Sequence, residues 1–203
     1  MKKSSFLVAI ASTAFLSACG SSSSNSSTDP LSCANYCATI ATACTGANNQ
    51  YAFIDNQDCN TYCNAVHWNA GTVDPNAHED TLGCRVAHAQ LAANPGPASV
   101  HCWHAGPTGG NLCGNYCENY CELALEACQG ANQLYPDKPT CLTACAGIAV
   151  STQLSAQTGN DIQCRIWHLS EALIGKQIGS ATLVATHCPH GKVTSAVCIG
   201  AVP

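Results

Sequence analysis

The sequence predicts a mainly α-helical protein in which two tandem disulfide-rich repeats, each with about three short helices, follow a flexible tether. Three observations lead to this prediction. Cysteine recurs in the same order in two parts of the chain, and helix-forming residues fill the segments between the early cysteines of each part. Little of either part alternates between polar and apolar residues with the period of two that is typical of strands.

The repeat is defined by eight cysteines per copy, and counterparts lie 80 to 86 residues apart. The first set comprises Cys33, Cys37, Cys44, Cys59, Cys63, Cys84, Cys102 and Cys113. The second set comprises Cys117, Cys121, Cys128, Cys141, Cys145, Cys164, Cys188 and Cys198. Residues between the cysteines also agree, so the chain contains a tandem duplication. We name residues 33–114 repeat A and residues 115–203 repeat B.

The first eighteen residues predict a cleaved export signal. A short basic start at Lys2 and Lys3 precedes a mainly apolar run that is too short to span a bilayer. The sequence Leu-Ser-Ala-Cys, which ends at Cys19, resembles the lipobox of bacterial lipoproteins. This resemblance implies cleavage before Cys19 and acylation of that cysteine. Because Gly20 follows, it also implies the outer membrane, with the protein facing either side.

Residues 19–32 are then the acylated cysteine and a serine-rich linker, which has nothing to bury and is expected to stay flexible. The membrane is the expected partner, contacted through the lipid anchor, and a second envelope protein is a further candidate. The formal net charge is −5 and no Lys/Arg cluster is present, which argues against nucleic acid as a partner. The chain lacks the Gly-x-Ser-x-Gly, His-Glu-x-x-His and phosphate-loop motifs, so we predict that it is not an enzyme.

Sixteen cysteines in an exported chain indicate four disulfides per repeat. Two antiparallel Cys-x-x-x-Cys helices bring the first cysteine opposite the fourth and the second opposite the third. The predicted pairs are Cys33–Cys63, Cys37–Cys59, Cys117–Cys145 and Cys121–Cys141, in a hairpin that resembles twin Cys-x-x-x-Cys domains in disulfide geometry. The other four cysteines of each repeat pair among themselves in an order that stays open. As an alternative, the sulfurs are metal-binding thiolates, because copper-storage proteins also carry Cys-x-x-x-Cys on helices.

Helix termini are predicted from capping residues. Asn115, with Glu118 three residues later, is typical of a capping box, and Asp137 precedes the second helix of repeat B. The third helix is expected to start after Asp80 in repeat A and after Asp161 in repeat B, with each aspartate as the N-cap. Gly46 and Gly130 are expected to be helix C-caps. Beyond the third helix, repeat A is predicted to be loop and repeat B to be more ordered.

Histidine also recurs with the duplication. Six of the eight histidines occupy matching positions, which are His88, His101 and His104 in repeat A and His168, His187 and His190 in repeat B. Three neutral imidazoles with an open position suit copper or zinc. Noncovalent haem is the second choice, and c-type attachment is disfavoured because no Cys-x-x-Cys-His motif is present.

Two further features bear on this site. The matched Arg85 and Arg165 need either a carboxylate within the repeat or an anionic ligand such as a haem propionate. In the alternative interpretation, the histidines only pack against disulfides, and the protein is a structural or protein-interaction module. The unmatched His67 and His78 are expected at the surface. The aromatic residues Tyr36, Tyr120, Trp103 and Trp167 are expected in the core.

The segments at residues 81–88 and 101–107 resemble cysteine-rich repeats in exported proteins of Gram-negative bacteria. The similarity covers residues 33–114, and repeat B departs from it at residues 190–192. The resemblance implies a location in the cell envelope and a repeat architecture. The expected protein is therefore an envelope lipoprotein with a non-enzymatic role in metal handling or electron transfer.

Overall fold

The computed structural model describes residues 29–51, 56–94, 96–150 and 157–199. The predicted signal peptide, Cys19 and most of the predicted linker lie outside the described residues. Within the described ranges, every helix is too short or too polar to cross a bilayer.

The described part of repeat A contains four α-helices. They are α1 (Cys33–Ala43), α2 (Asn56–Val66), α3 (Leu82–Ala93) and α4 (Ala98–Ala105). Repeat B contains α5 (Tyr116–Ala127), α6 (Lys138–Cys145), α7 (Ile162–Gln177), α8 (Ala181–Gly191) and the short α9 (Ala196–Ile199). The mainly helical fold class is confirmed. The prediction missed α4 in repeat A, where loop was expected, and so undercounted the helices.

Local sequence explains most helix starts. Asn115 accepts hydrogen bonds from the backbone of Cys117 and Glu118, and Asp161 accepts one from Cys164, so these N-caps are confirmed. Asp137 caps α6 in the same way. The prediction for α3 is wrong, because Thr81 is its N-cap. Asp80 instead forms an ion pair with Arg85.

The prediction that Gly46 and Gly130 are the C-caps is also wrong. The caps are Cys44 and Cys128, whose backbone N–H groups donate to Ile40 and Ala124. Each glycine begins a short 3-10 turn two residues later, with φ near 57° at Gly46. A positive φ costs glycine little because it has no Cβ atom.

Disulfides join the helices of each repeat. All four predicted pairs between the Cys-x-x-x-Cys helices are confirmed. The pairs left open are Cys44–Cys102 and Cys84–Cys113 in repeat A, and Cys128–Cys188 and Cys164–Cys198 in repeat B. Each bond adds roughly 2 to 4 kcal/mol of stability, mainly by restricting the unfolded chain. The sixteen sulfurs are therefore bonded to one another, which removes the thiolates that the alternative interpretation required.

Buried tyrosines fix the ends of α4 and α8. The Tyr36 hydroxyl donates to the Ala105 carbonyl at 2.7 Å and lies 2.8 Å from the Tyr51 hydroxyl. In repeat B, the Tyr120 hydroxyl donates to the Gly191 carbonyl at 3.0 Å. Tyr36 and Tyr120 are fully buried, which confirms them as core residues.

The remaining aromatic predictions are corrected, because Trp103 and Trp167 are only half-buried. Trp103 packs near Tyr116, whereas Trp167 lies against the ring of His168. The two repeats also contact each other, since α2 of repeat A packs on α7 of repeat B. The core thus continues from one repeat into the next.

Candidate metal centres

Each group of three histidines is built from two helices. In repeat A, His88 lies on α3, while His101 and His104 lie three residues apart on α4 and so share one face of that helix. We name these three residues triad A. His168 on α7, with His187 and His190 on α8, forms triad B. The helix that the sequence analysis missed is therefore the helix that carries two of the three imidazoles.

The rings of triad A converge. Nδ1 of His88 lies 3.0 Å from Nδ1 of His101, and the ring centroids of His88 and His104 are 4.8 Å apart. One potential ligand atom from each of the three side chains lies within 4.8 Å of the other two. The duplication matches these residues between the repeats, and the structure brings them together.

Triad B has the same geometry. Nδ1 of His168 lies 2.9 Å from Nδ1 of His187, and the centroids of His168 and His190 are 4.7 Å apart. The first two histidines are 13 residues apart in repeat A and 19 residues apart in repeat B. Helix α7, with 16 residues against 12 for α3, absorbs part of this difference. The ring arrangement has therefore been kept although the connecting chain changed in length.

Disulfides and tyrosines position the helices that carry the triads. Cys102 lies between His101 and His104 and is cross-linked to Cys44 at the end of α1. Cys188 has the same place between His187 and His190 and is cross-linked to Cys128. The carbonyl groups that the tyrosines bind belong to the residues directly after His104 and His190. Each pair of histidines is thus held by a covalent bond and a buried hydrogen bond.

Burial favours the neutral form of two imidazoles in each triad. His88 is 3% exposed and His168 is 5% exposed. Burial, with a smaller contribution from the neighbouring histidines, lowers the pKa of each to about 4. The same two causes lower the pKa of His104 and His187. Neutral imidazoles are the form that binds a metal, because protonation removes the nitrogen lone pair.

Several ring nitrogens lack a protein partner. Nδ1 of His104 and Nδ1 of His190 are buried and accept or donate no hydrogen bond among the described residues. His168 differs, since its Nε2 lies 3.1 Å from the Gln157 carbonyl and must donate to it. Nδ1 of His168 therefore carries a lone pair that faces the triad. Buried polar atoms without partners are uncommon in native proteins, and a bound metal ion would satisfy these two nitrogens.

The spacing of the nitrogens fits a metal ion. An imidazole nitrogen lies about 2.0 to 2.1 Å from zinc, so two such ligands at 90° to 110° are roughly 2.9 to 3.4 Å apart. The Nδ1 pairs at 3.0 and 2.9 Å lie at the lower end of that range. Three neutral imidazoles per repeat can therefore hold a copper or zinc ion with a further position open.

A disulfide lies behind each triad. The sulfurs of Cys84 and Cys113 approach His88, and those of Cys164 and Cys198 approach His168. Both pairs are oxidised, so they offer no thiolate ligands. His104 and Trp103 also line a groove of about 510 Å³.

The arginines are occupied within their own repeats. Arg85 is fully buried, pairs with Asp80 and lies over the Trp68 ring with its guanidinium carbon 4.0 Å from the ring centroid. Arg165 is 1% exposed and donates to the carbonyl groups of Asp161 and Val193. For Arg85 the partner is thus a carboxylate within the repeat. Neither guanidinium is left at the surface to receive a haem propionate.

One neighbour of triad A was missed. His67 and His78 are both exposed, as expected. His78, however, is close enough for its charge to lower the pKa of His88 and His104. The comparison between repeats could not reveal this, because Thr158 occupies the corresponding position of repeat B.

Comparison with known proteins supplies a family. The sequence profile described as the BfoA family C-terminal domain matches residues 8–119. The match covers just over half of the chain, including all of repeat A, and ends near the start of repeat B. No curated protein and no solved structure matches the chain. The chain belongs to the BfoA family.

Proposed function

We propose that this protein is a cell-envelope lipoprotein that binds one metal ion in each repeat through triads A and B. Its role is non-enzymatic and lies in metal handling or electron transfer. The observation that carries the proposal is the duplicated convergence of three neutral imidazoles, with Nδ1 of His104 and His190 buried and unpartnered. Copper and zinc are the ions that this donor set suits.

The envelope location is supported by the disulfides. Disulfides persist in oxidising compartments and are rare in the cytosol. All sixteen cysteines of the two repeats are bonded in pairs. The lipobox-like sequence at Cys19 adds a lipid anchor as the means of attachment.

A structural module is the second candidate function. The Nδ1–Nδ1 hydrogen bond between His88 and His101 holds those rings together without any ion. It does not account for Nδ1 of His104, which is buried and lacks a partner. We therefore place metal binding first and noncovalent haem after copper and zinc.

Metal analysis of protein purified from its native host tests the proposal. We expect two ions per chain, and dissociation constants below micromolar when copper or zinc is added to the metal-free protein. His104→Gln should remove one ion, and His190→Gln should remove the other. His67→Gln, which changes an exposed histidine outside the triads, should retain both. A colourless chain with no metal and no micromolar affinity would leave the structural module as the function.

A further inference from the structure

We propose that each triad selects the monovalent ion Cu(I) over divalent ions and holds it with three imidazole nitrogens. This inference rests on the proposed function, because it names the ion for the same two sites. It follows from the charges around the triads and from their burial.

The triads contain no negative charge to balance a divalent ion. Among the described residues, the potential ligand atoms that cluster at triads A and B are histidine nitrogens and the sulfurs of the adjacent disulfides, and no carboxylate oxygen joins them. Asp80, which could have approached triad A, is already paired with Arg85. A divalent ion with three neutral ligands would therefore keep its full charge.

A buried arginine lies near each triad, and among the described residues only the one in repeat A forms a salt bridge. Arg85 and Arg165 each precede the first histidine of their triad by three residues on the same helix, which places them one turn away. The hydrogen bonds of Arg165 go to carbonyl and amide oxygens of Asp161, Val193 and Asn160. The Asp161 carboxylate is used to cap α7. The positive charge near triad B is thus only partly balanced.

Burial converts this charge imbalance into selectivity. The cost of removing an ion from water rises with the square of its charge, so a divalent ion loses about four times as much hydration free energy as a monovalent ion of the same size. His88 and His168 are almost completely buried, the other four triad histidines are half-buried, and a disulfide lies beside each buried ring. A site of this kind favours the lower charge, and three-coordination by neutral imidazoles satisfies Cu(I) without a fourth ligand.

Zn(II) is the matched competitor, because Zn(II) and Cu(I) are both d¹⁰ ions without a geometric preference from d electrons. The metal-free protein is titrated anaerobically with Cu(I) against a chromophoric Cu(I) chelator, and separately with Zn(II) against a zinc chelator. We expect two Cu(I) per chain, an affinity at least 10³-fold above that for Zn(II), and an X-ray absorption spectrum with three nitrogen neighbours. Tighter Zn(II) binding, or a four-coordinate copper site, would overturn the inference and leave the proposed function standing. Absence of binding by both ions would overturn both.

A charge variant isolates the reason for the selectivity. His78→Asp places a carboxylate near triad A only, at an exposed position where the fold is not at risk. We expect about a tenfold shift of the Zn(II) to Cu(I) affinity ratio toward zinc in repeat A, the size of one partly screened charge interaction. Repeat B of the same chain is the internal control, and His67→Asp is the control for net charge. An unchanged ratio in repeat A would contradict the electrostatic argument.

Discussion

Nδ1 of His168 and Nδ1 of His187 lie 2.9 Å apart, and Nε2 of His168 donates to the Gln157 carbonyl. His168 therefore presents a lone pair at Nδ1, and the proton between the two Nδ1 atoms belongs to His187. For His187 to bind a metal through Nδ1, this proton must move to Nε2.

This relationship predicts a change of tautomer on metal binding. In the metal-free protein, nitrogen-detected NMR of the imidazoles should show His187 protonated at Nδ1 and His168 protonated at Nε2. After an ion is added, His187 should be protonated at Nε2, while the signal of His67 stays unchanged. If His187 is protonated at Nε2 before the ion is added, the proposed hydrogen bond does not exist.

The buried histidines predict a loss of stability in acid. The pKa of His88 and of His168 is about 4 in the folded chain, against about 6.5 in an unfolded one. Between these values the unfolded chain binds more protons, so the free energy of unfolding falls as the pH is lowered from about 6.5 to about 4. The double variant His88→Gln/His168→Gln should show a shallower pH dependence in denaturant unfolding of the metal-free, disulfide-intact protein. If the free energy of unfolding depends on pH equally steeply in wild type and variant, the lowered pKa of these two histidines is contradicted.

The tyrosine hydrogen bonds predict separate effects in the two repeats. Tyr120→Phe leaves the Gly191 carbonyl and the Tyr135 hydroxyl without a partner and should cost about 1 to 3 kcal/mol of stability. Because Gly191 follows His190, metal affinity should fall by about tenfold in repeat B, which is roughly 1.4 kcal/mol. The matched variant Tyr36→Phe should weaken repeat A instead. If either variant lowers the metal affinity of both repeats equally, the tyrosine hydroxyl acts on the whole fold and not on one triad.

The contact between the repeats contains a second pH-sensitive group. Burial, and to a smaller extent the charge of Asp58 on α2, raises the pKa of Glu171 on α7 to about 7. The folded chain therefore binds more protons than the unfolded chain between pH of about 4.5 and 7, and stability from this group is lost as the pH rises through that range. Glu171→Gln should stabilise the protein at pH 8 relative to wild type and have little effect at pH 4. A stability difference that does not change with pH would contradict the raised pKa.

Lipid attachment is predicted to depend on Cys19. Cys19→Ser should prevent acylation, so that the protein no longer incorporates labelled fatty acid and moves from the membrane fraction to the soluble fraction. Cys44→Ser, which changes a disulfide cysteine, should lower stability without releasing the anchor. Membrane association that persists in Cys19→Ser would mean that another element attaches the protein.

The sequence was sufficient for features that depend on short-range spacing. The Cys-x-x-x-Cys pairs predicted the hairpin disulfides, since spacing by four residues places two cysteines on one face of a helix. The six histidines were found because the duplication preserved them. The N-caps Asn115 and Asp161 were found because the side-chain oxygen of each accepts from the first turn of its own helix.

Two of the missed features are local, and the third depends on contacts between distant residues. Pro97 was interpreted as part of a loop, whereas it is the N-cap of α4, where a proline is tolerated because the first turn of a helix has unbonded N–H groups. Asp80 is drawn away from the helix cap by Arg85. The convergence of each triad depends on the Cys44–Cys102 or Cys128–Cys188 bond, whose pairing the spacing alone did not reveal.

The cross-link between Cys44 and Cys102 also bears on the order of maturation. In a newly made chain with free thiols, only hydrogen bonds and packing hold His101 and His104 against His88, because the covalent bond that docks α4 on α1 has not yet formed. We therefore expect the imidazole site to reach its full affinity only after oxidation, in the compartment where the thiols are paired.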